Sequence, residues 1–351
     1  MVVVVGIDVH KDTHCVVAVD QAGRQVGSHL TVRATDAGHR QLLRWAAREH
    51  GAAVEFAVED CRHVSTRLER ALLSAGARVV RVPPKLMAGA RQSARTRGKS
   101  DPIDALAIAR AALREPNLPV AEHTHASREV KLLVDHREDL VRMRTAMQNR
   151  LRWHLHELEP GLEPAARALG TIAQLDQLTD RLTAMPDTVV RRLALELIVD
   201  IRSLTERARA LEREIAALVK DQAPQLLELP GCGVLTAAKL LGETANPARF
   251  RSEACFAMHA GVAPIPASSG RTNRHRLARG GNRQLNAALH RLAVTQIRLD
   301  GLGRAYYQRR RARGDTTMEA LRALKRRLAR VVFNLLNQTP STVAAHLPQA
   351  A

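Results

Sequence analysis

VVVVGIDVHK, residues 2–11, is the stretch that decides the fold of this chain. Four valines, a glycine and an isoleucine precede Asp8, which is the pattern of a strand buried on both faces. Because successive side chains of a strand alternate, Asp8 faces opposite to Ile7 and Val9. A buried strand that ends near an acid predicts a layered α/β core with a polar site at one edge of its sheet.

The segments that follow alternate between strand and helix patterns. Strands are predicted at residues 15–20, 25–32, 54–58 and 78–82, and helices at 35–50, at 65–75 and from Pro102 onward. Residues 21–24, with Gly23, read as the hairpin turn between the second and third strands. This βββαβαβα order predicts an RNase H-like α/β domain over residues 1–120.

Strand patterns fade after residue 120, and long charged helical patterns replace them. Residues 121–222 are predicted to form a helical hairpin or coiled coil, whose apolar seam serves either dimerisation or packing within one chain. Residues 223–340 are predicted to form a basic, mainly α domain. Residues 341–351 are expected to be a loose tail.

The charge of the chain favours a polyanionic partner. Its 54 Lys and Arg against 35 Asp and Glu give a net charge of +19, and such an excess binds nucleic acid by neutralising phosphates. Residues 271–330 hold 17 basic residues against 3 acidic ones, and residues 85–100 hold five basic residues and no acid. Aromatic residues make up only 2%, so stacking of bases on rings is not expected to dominate.

The four cysteines are scattered without metal-ligand spacing, and we expect reduced thiols in or near the core. A membrane-spanning helix needs about 18 consecutive apolar residues, and no apolar run in the sequence is that long. Residues 2–7 also lack the flanks of a signal peptide. We therefore expect a cytoplasmic protein without a membrane segment.

Four acids fall at positions suited to a metal site. Asp8 and Glu59 each follow an apolar strand, and they approach one another if those strands are neighbours. Asp101 and Asp104, in GKSDPIDA, are three apart at a helix entry and share a face. Such a cluster predicts bound Mg²⁺ or Mn²⁺. The alternative for the last pair is helix capping, with Asp101 as N-cap and Asp104 as N3.

The other polar residues of this region are given lesser roles. His10 and His14 are four apart in a region predicted to be strand and turn instead of helix, so a two-histidine metal site is not expected and both are interpreted as peripheral. Lys11 is a candidate phosphate contact. The remaining acids are interpreted as turn or surface residues: Asp12, Asp20 and Asp60.

Two loops of the C-terminal half are candidate phosphate contacts. Residues 230–233, PGCG, precede a predicted helix and either offer backbone N–H groups to a phosphate or use glycine for steric reasons. Downstream, residues 250–261 are predicted to form a helix and residues 265–281 a loop. In this loop Ser268 and Ser269 precede a series of arginines that extends just beyond it: Arg271, Arg274, Arg276, Arg279 and Arg283. A serine nucleophile needs positive charge nearby, whereas the alternative is a basic loop that only grips a nucleic-acid backbone.

The joint pattern resembles the DEDD transposases of bacterial insertion sequences, which are related to the Piv invertase and described as bridge-RNA-guided recombinases. The motifs GIDVHK, VED and KSDPIDA are similar to the acidic motifs of that family. LPGCG and residues 256–290, FAMHAGVAPIPASSGRTNRHRLARGGNRQLNAALH, are similar to its second domain. The resemblance covers nearly the whole chain. It departs after Glu59, where residues 60–63 are Asp-Cys-Arg-His instead of a small residue, a glycine and an aromatic one.

The resemblance implies a RuvC-like domain whose Mg²⁺ tetrad is Asp8, Glu59, Asp101 and Asp104. It implies that Ser269, with Ser268 as the fallback, forms a transient covalent bond to DNA. Partners would be the element's own DNA ends and target, an element-encoded guide RNA, and further copies of the chain in a homodimer or homotetramer. The expected nucleic-acid contacts are Lys11, Arg95, Arg97, Lys99, Arg271, Arg274, Arg276, Arg279 and Arg283.

Two rival functions share these residues. In a RuvC-like hydrolytic endonuclease, such as a junction resolvase, water instead of serine attacks phosphorus and no covalent intermediate forms. In a binding protein for RNA or DNA, the acids would only cap helices or pair with basic residues.

Overall fold

The chain forms two compact units in a computed structural model. The first comprises Met1–Thr124, Ala245–His290 and Ala305–Asn337, and the second comprises His125–Thr244, Arg291–Arg304 and Gln338–Ala351. Within these, the structure describes residues 3–51, 53–59, 64–83, 86–87, 100–115, 118–122, 125–165, 168–267, 275–276, 278 and 280–338.

A five-stranded mixed sheet forms the N-terminal part of the first unit. Its strands are β1 (Val3–Val9), β2 (Thr13–Val19), β3 (Leu30–Arg33), β4 (Val54–Glu59) and β5 (Arg78–Val82). They lie in the order β3-β2-β1-β4-β5. The first three are antiparallel neighbours, whereas β4 is parallel to β1 and β5 is parallel to β4. The predicted mixed α/β region is confirmed, and β1 is its central strand.

Helices cover both faces of this sheet. The helices are α1 (Asp36–His50), α2 (Thr66–Ser74) and α3 (Asp101–Arg114). Leu42 of α1 and Leu68 of α2 pack with Ile7 on one face, and Ile108 of α3 packs with Val4 on the other. Because β1 is apolar toward both layers, it is buried along its length, as a central strand requires.

Two details of the hairpin and of α3 differ from the sequence-based expectation. The third strand begins at Leu30 and not at residue 25, since Gly27 adopts a positive φ of 72° that interrupts the extended chain. Asp20 is a turn residue as predicted, and its carboxylate accepts the backbone N–H groups of Ala22 and Arg24. Helix α3 begins at Asp101 with Ser100 as its N-cap, so the alternative in which Asp101 is the N-cap is wrong.

The second unit is helical. Its two 34-residue helices are α4 (His125–Leu158) and α6 (Val189–Gln222), with α5 (Ile172–Thr183) between them in sequence. The long helices are antiparallel, since Arg137 near the start of α4 pairs with Glu212 near the end of α6, while Leu151 packs near Ile198. The predicted helical character of this region is confirmed. Two shorter helices follow: α7 (Pro224–Leu227) and α8 (Val234–Thr244).

The rest of the first unit is also mainly helical. It contains α9 (Glu253–His259), the two-residue strands β6 (Ile265–Pro266) and β7 (His275–Arg276), the first half of α10 (Arg283–Arg298), most of α11 (Leu302–Ala312) and all of α12 (Thr317–Asn337). Residues 291–304, which include the rest of α10 and the start of α11, belong to the second unit. Helix α9 is shorter than the helix predicted for residues 250–261, because Ser252 caps its start by accepting the N–H of Cys255. None of the helices in the described part of the chain is both long and apolar enough to cross a lipid bilayer.

This C-terminal part is hydrogen-bonded to the edge of the sheet. Residues 119–121 run along β5, where Arg81 N–H donates to the Pro119 carbonyl and Ala121 N–H donates to Val79. Arg249 then donates from Nη1 to the Val120 carbonyl at 3.1 Å, and Asn246 donates to Glu122. The α/β layer and the C-terminal helices therefore belong to one packed unit.

Candidate acidic site and basic cavity

An acidic cluster forms where β1 ends. Asp8 Oδ2 lies 3.0 Å from His10 Nε2, and the same nitrogen lies 3.4 Å from Asp101 Oδ1. The three potential ligand atoms lie within 4.8 Å of one another. Two of the four predicted acids, separated by 93 positions in sequence, are thus brought to one point together with a histidine.

Gly6 allows this approach. A Cβ atom at Gly6 would lie 2.1 Å from the carbonyl oxygen of Ala105 and 2.6 Å from the backbone nitrogen of Ala109. Helix α3 therefore packs with its backbone directly against β1, because glycine faces a helix rich in alanine. The first turn of α3, which carries Asp101 and Asp104, is placed beside Asp8 as a result.

Asp104 and Glu59 adjoin this cluster. Asp104 is buried in the first turn of α3, and its charge contributes to the raised pKa of Asp8. Glu59 is half-buried at the end of β4. Since Ile7 pairs with Val58 in the parallel register, Asp8 and Glu59 are the next residues on neighbouring strands and share the face toward α3.

The acidic cluster brings several carboxylates together around Asp8, which is buried and therefore partly shielded from water. Burial raises the pKa of the Asp8 carboxyl, and the nearby carboxylates of Asp104 and Asp101 raise it further, while His10 opposes the shift. Desolvation and like charge both disfavour ionisation. A bound cation would relieve both effects, because it supplies the missing positive charge.

The interpretation of His10 as peripheral is wrong. A sequence signal for its position existed: residues two apart on an extended chain share a face, so His10 follows Asp8 to the same side. His14 lies elsewhere, stacked on His39 of α1 with 3.2 Å between their Nε2 atoms. Burial and the neighbouring His39 lower the pKa of His14 to about 4.

The predicted nucleic-acid contacts are only partly described. Lys11, Arg276 and Arg283 are exposed to solvent, as a phosphate contact requires. The other members of the set, together with both candidate serines, lie outside the described residues: Arg95, Arg97, Lys99, Ser268, Ser269, Arg271, Arg274 and Arg279.

The segment that carries the serines is bracketed by paired strands. Ile265 pairs with Arg276 and Pro266 pairs with His275, in antiparallel register. The expectation of a loop over residues 265–281 is therefore wrong at residues 265–266 and 275–276, which form strands. Beside the pair is a cavity of about 430 Å³, lined by residues 261–264, β7, Tyr306, Arg310 and one side of α12.

The basic residues of the cavity outnumber its acids. Among its two acids, Asp315 pairs with Arg310, and Glu319 accepts the N–H and hydroxyl of Thr316 at the start of α12. Lys325 is only 6% exposed. Its Nζ donates to Asn286 Oδ1 at 2.6 Å, and burial together with Arg322 lowers its pKa to about 8.

The PGCG turn has a steric explanation. Gly231 has a φ of 81°, and a Cβ there would meet the Thr295 side chain at 2.9 Å. Both facts require glycine without any ligand. Phosphate contact at this turn stays a prediction. The adjacent Cys232 is buried, which raises the pKa of its thiol to about 12, and Cys15 is likewise a buried free thiol.

Comparison with known proteins gives a consistent result over both halves of the chain. Residues 5–160 match a transposase family model of the DEDD type associated with IS110, and residues 223–308 match the model of the IS116/IS110/IS902 transposase family. The 44.8 kDa protein of insertion element IS116 from Streptomyces clavuligerus is 29% identical and covers 95% of this chain and 94% of its own length.

Other relatives are similar at comparable levels. The 43.6 kDa protein of insertion element IS110 from Streptomyces coelicolor is 33% identical over 68% of this chain and 70% of its own length. The transposase of insertion sequence element IS1111A from Coxiella burnetii is 24% identical over 76% and 70%. The chain belongs to the IS116/IS110/IS902 family of insertion-sequence transposases, a family of DNA-modifying enzymes.

Proposed function

We propose that this protein is a transposase that cuts and joins the DNA of its own insertion sequence through a transient phosphoserine bond. The proposal includes an RNase H-like fold of the RuvC type for the N-terminal domain. The strand order β3-β2-β1-β4-β5 supports this assignment, since its antiparallel hairpins precede the parallel β4 and β5. The convergence of Asp8 and Asp101 at the end of the central strand is the observation on which the proposal mainly depends.

The donor set suits a divalent cation. Carboxylate oxygens are the ligands that Mg²⁺ and Mn²⁺ prefer. Burial, and to a smaller extent the carboxylates of Asp104 and Asp101, raise the pKa of Asp8 although His10 opposes the shift, so a bound cation would favour its ionised form. Asp8, Glu59, Asp101 and Asp104 would hold the ion, and His10 would either bind it or orient the carboxylates of Asp8 and Asp101. Bound there, the cation would supply positive charge to a phosphodiester.

The covalent step is assigned to Ser269, with Ser268 as the fallback. Its Oγ forms a bond to phosphorus while the bond between phosphorus and the leaving oxygen breaks, and the serine proton passes through solvent to that oxygen. Arginines after the serine stabilise the negative charge that develops on the phosphate. The phosphoserine conserves the bond energy, so a hydroxyl end of another strand can reverse the step without ATP.

The same proposal includes the partners. The net charge of +19 and the basic residues of the C-terminal part support binding of the element's DNA ends and target. A guide RNA encoded by the element would pair with both DNAs, and the protein would act as a homodimer or homotetramer. The guide RNA and the oligomer are inferred from the family resemblance.

A trapped adduct tests the function. Wild-type protein is mixed with a DNA that carries the element's ends and a nick placed so that the strand cannot be rejoined, and a denaturing gel then separates protein bound to labelled DNA. We expect an adduct that Ser269→Ala abolishes and that requires added Mg²⁺ or Mn²⁺. An adduct lost only on Ser268→Ala moves the role to that residue. Free cut ends without any adduct would overturn the proposal in favour of hydrolysis by water.

A further inference from the structure

Lys325 is a buried lysine that has no acidic partner in the described part of the chain. It is the ninth residue of α12 and is 6% exposed. Its Nζ donates one hydrogen bond, to Asn286 Oδ1 of α10. An ammonium has three N–H donors, and a buried cation is costly unless it is paired and hydrogen-bonded. Lys325 is therefore not explained as half of an internal salt bridge.

The partner amide is held in a fixed orientation. Asn286 Nδ2 donates to the carbonyls of Ala260 and Gly261, at 3.0 and 2.9 Å. Its Oδ1 must then face Lys325, because a reversed amide would set an oxygen against two carbonyl oxygens. Lys325 is consequently positioned by α10 and by the end of α9, and its ammonium is held at the wall of the cavity.

Two of the four arginines that line the same cavity also lack a described acidic partner. Arg276 of β7 and Arg322 of α12 form no ion pair within the described ranges, whereas Arg310 and Arg326 are paired with Asp315 and Glu253. Outside the described residues, the sequence contains a single acid, Asp60. The cavity thus has three cations without an acidic partner among the described residues.

The remaining lining suits a nucleotide. Val262, Ala263 and Pro264 provide an apolar wall, and the half-buried Tyr306 provides an aromatic ring at the same cavity. Such a ring stacks on a sugar or base beside a phosphate. A volume of about 430 Å³ is within the range of ligand pockets.

We propose that this cavity binds one backbone phosphate of a nucleic-acid strand through Lys325, Arg322 and Arg276. The phosphate of DNA and that of RNA have the same chemistry, so either strand can fill the site. The inference depends on the proposed function, since it takes a nucleic acid as the substrate. It adds Lys325, a residue that the charge pattern of the sequence did not single out.

Binding of a short fluorescent single strand, made once as DNA and once as RNA, tests this site by fluorescence anisotropy over a range of salt concentrations. Lys325→Met removes the buried charge, and Arg322→Gln removes a half-buried one. Arg207→Gln is the matched control, because Arg207 is exposed on α6 in the other unit. Circular dichroism and thermal melting establish that each variant is folded.

We expect each cavity variant to bind about tenfold more weakly, which is the size of one lost charge-assisted hydrogen bond. The slope of log affinity against log salt should fall by about 0.7 per lost phosphate contact on a single strand. Arg207→Gln should leave affinity and slope near wild type. A loss confined to DNA or to RNA supports the site and assigns it to that strand.

Unchanged slopes in both folded cavity variants, or an equal loss in Arg207→Gln, would overturn the proposal. If Lys325→Met does not fold, Arg322→Gln decides alone. Failure here is distinct from failure of the proposed function. If the wild-type protein forms no adduct but the cavity variants still bind the strand more weakly, only the serine chemistry is refuted. If the adduct forms normally and the cavity variants bind as the wild type does, only this site is refuted.

Discussion

Two buried lysines in different units of the molecule have opposite surroundings. Lys239 of α8 is 2% exposed, and its Nζ lies 3.1 Å from Asp135 and 2.9 Å from Glu138 of α4. Lys325 of α12 is nearly as buried, yet its only described partner is the amide of Asn286. In the helical unit the charge of buried Lys239 is balanced by two carboxylates of the same unit. In the other unit, buried Lys325 has no acidic partner among the described residues.

Buried acids of the α/β layer repeat this difference. Glu69 of α2 accepts the Ser65 hydroxyl at 2.8 Å and pairs with Arg81 at 2.6 Å. Among the described residues, Asp8 has the imidazole of His10 as its partner, while the charges of Asp104 and Asp101 oppose its own. A buried charge without a partner is costly, so an incomplete set is a candidate place for a ligand of opposite charge. The difference separates structural from candidate functional charges without reference to any relative.

The largest effect is expected from Asp8→Asn. Loss of one carboxylate should lower DNA cleavage about 10²–10³-fold, by analogy with the removal of one group that stabilises developing charge. The melting temperature without metal should stay equal or rise, because a like charge is removed. Added Mg²⁺ or Mn²⁺ should no longer raise the melting temperature of this variant. DNA cleavage is measured on a plasmid that bears the element's ends, and stability is measured by melting curves with and without metal.

Asp12→Asn is the control for that experiment, since Asp12 is an exposed acid near the cluster in sequence. It should cleave and respond to metal as wild type does. Metal-induced stabilisation that persists in Asp8→Asn would contradict the acidic cluster as a metal site.

Gly6→Ala should separate the two halves of the acidic cluster. The new methyl group would overlap the Ala105 carbonyl, so α3 must move away from β1, and Asp101 moves with it. Overpacking typically costs about 1–3 kcal/mol, and a clash with backbone favours the upper end. Urea unfolding measures the loss, and cleavage should fall more than in a surface variant of equal stability. Full stability in Gly6→Ala would refute the close approach of strand and helix.

The sheet could be predicted from the sequence because its strands are short, apolar and separated by clear turn signals. Asp8 and Glu59 follow such strands, and their alternation fixes the face on which they lie. Pro102 and the acids around it predict helix α3. Its distance from β1 was not predictable, since Gly6 reads as an ordinary strand residue until the backbone of Ala105 is placed beside it.

Residues of the basic cavity escaped prediction for a different reason. Lys325 lies in KRR, residues 325–327, of a strongly basic helix, and a charge run normally indicates a solvated face. Only tertiary packing distinguishes it: Lys325 is buried, while Arg327 is exposed. His10 had a local signal in the strand alternation, but its contact with Asp101 required α3 in place.

The His14–His39 pair should make stability depend on pH. The pKa of His14 is lowered to about 4 and that of His39 is also lowered, with burial as the largest cause for both. Below the ordinary value of 6.5, the unfolded chain binds protons that the folded chain does not. Stability is therefore complete above pH 6.5 and falls progressively toward pH 4, by about 2 kcal/mol at pH 5 for His14. Melting temperatures at several pH values measure this.

His14→Gln removes the titrating group and should flatten that dependence, whereas His29→Gln should not, because His29 is exposed. An unchanged pH dependence in His14→Gln would show that other groups control acid sensitivity.

The smallest effects, of opposite sign, are expected from Lys239→Met and Lys325→Met. Removing Lys239 leaves Asp135 and Glu138 partly unpaired, but their side chains are 43% and 30% exposed, so water screens them and the cost is about 1 kcal/mol. Removing Lys325 eliminates a buried cation without a described counter-ion, so stability should stay equal or rise. Urea unfolding of both variants measures the sign. Equal destabilisation would mean that Lys325 is as structural as Lys239, and the distinction between paired and unpaired buried charge would then fail for this molecule.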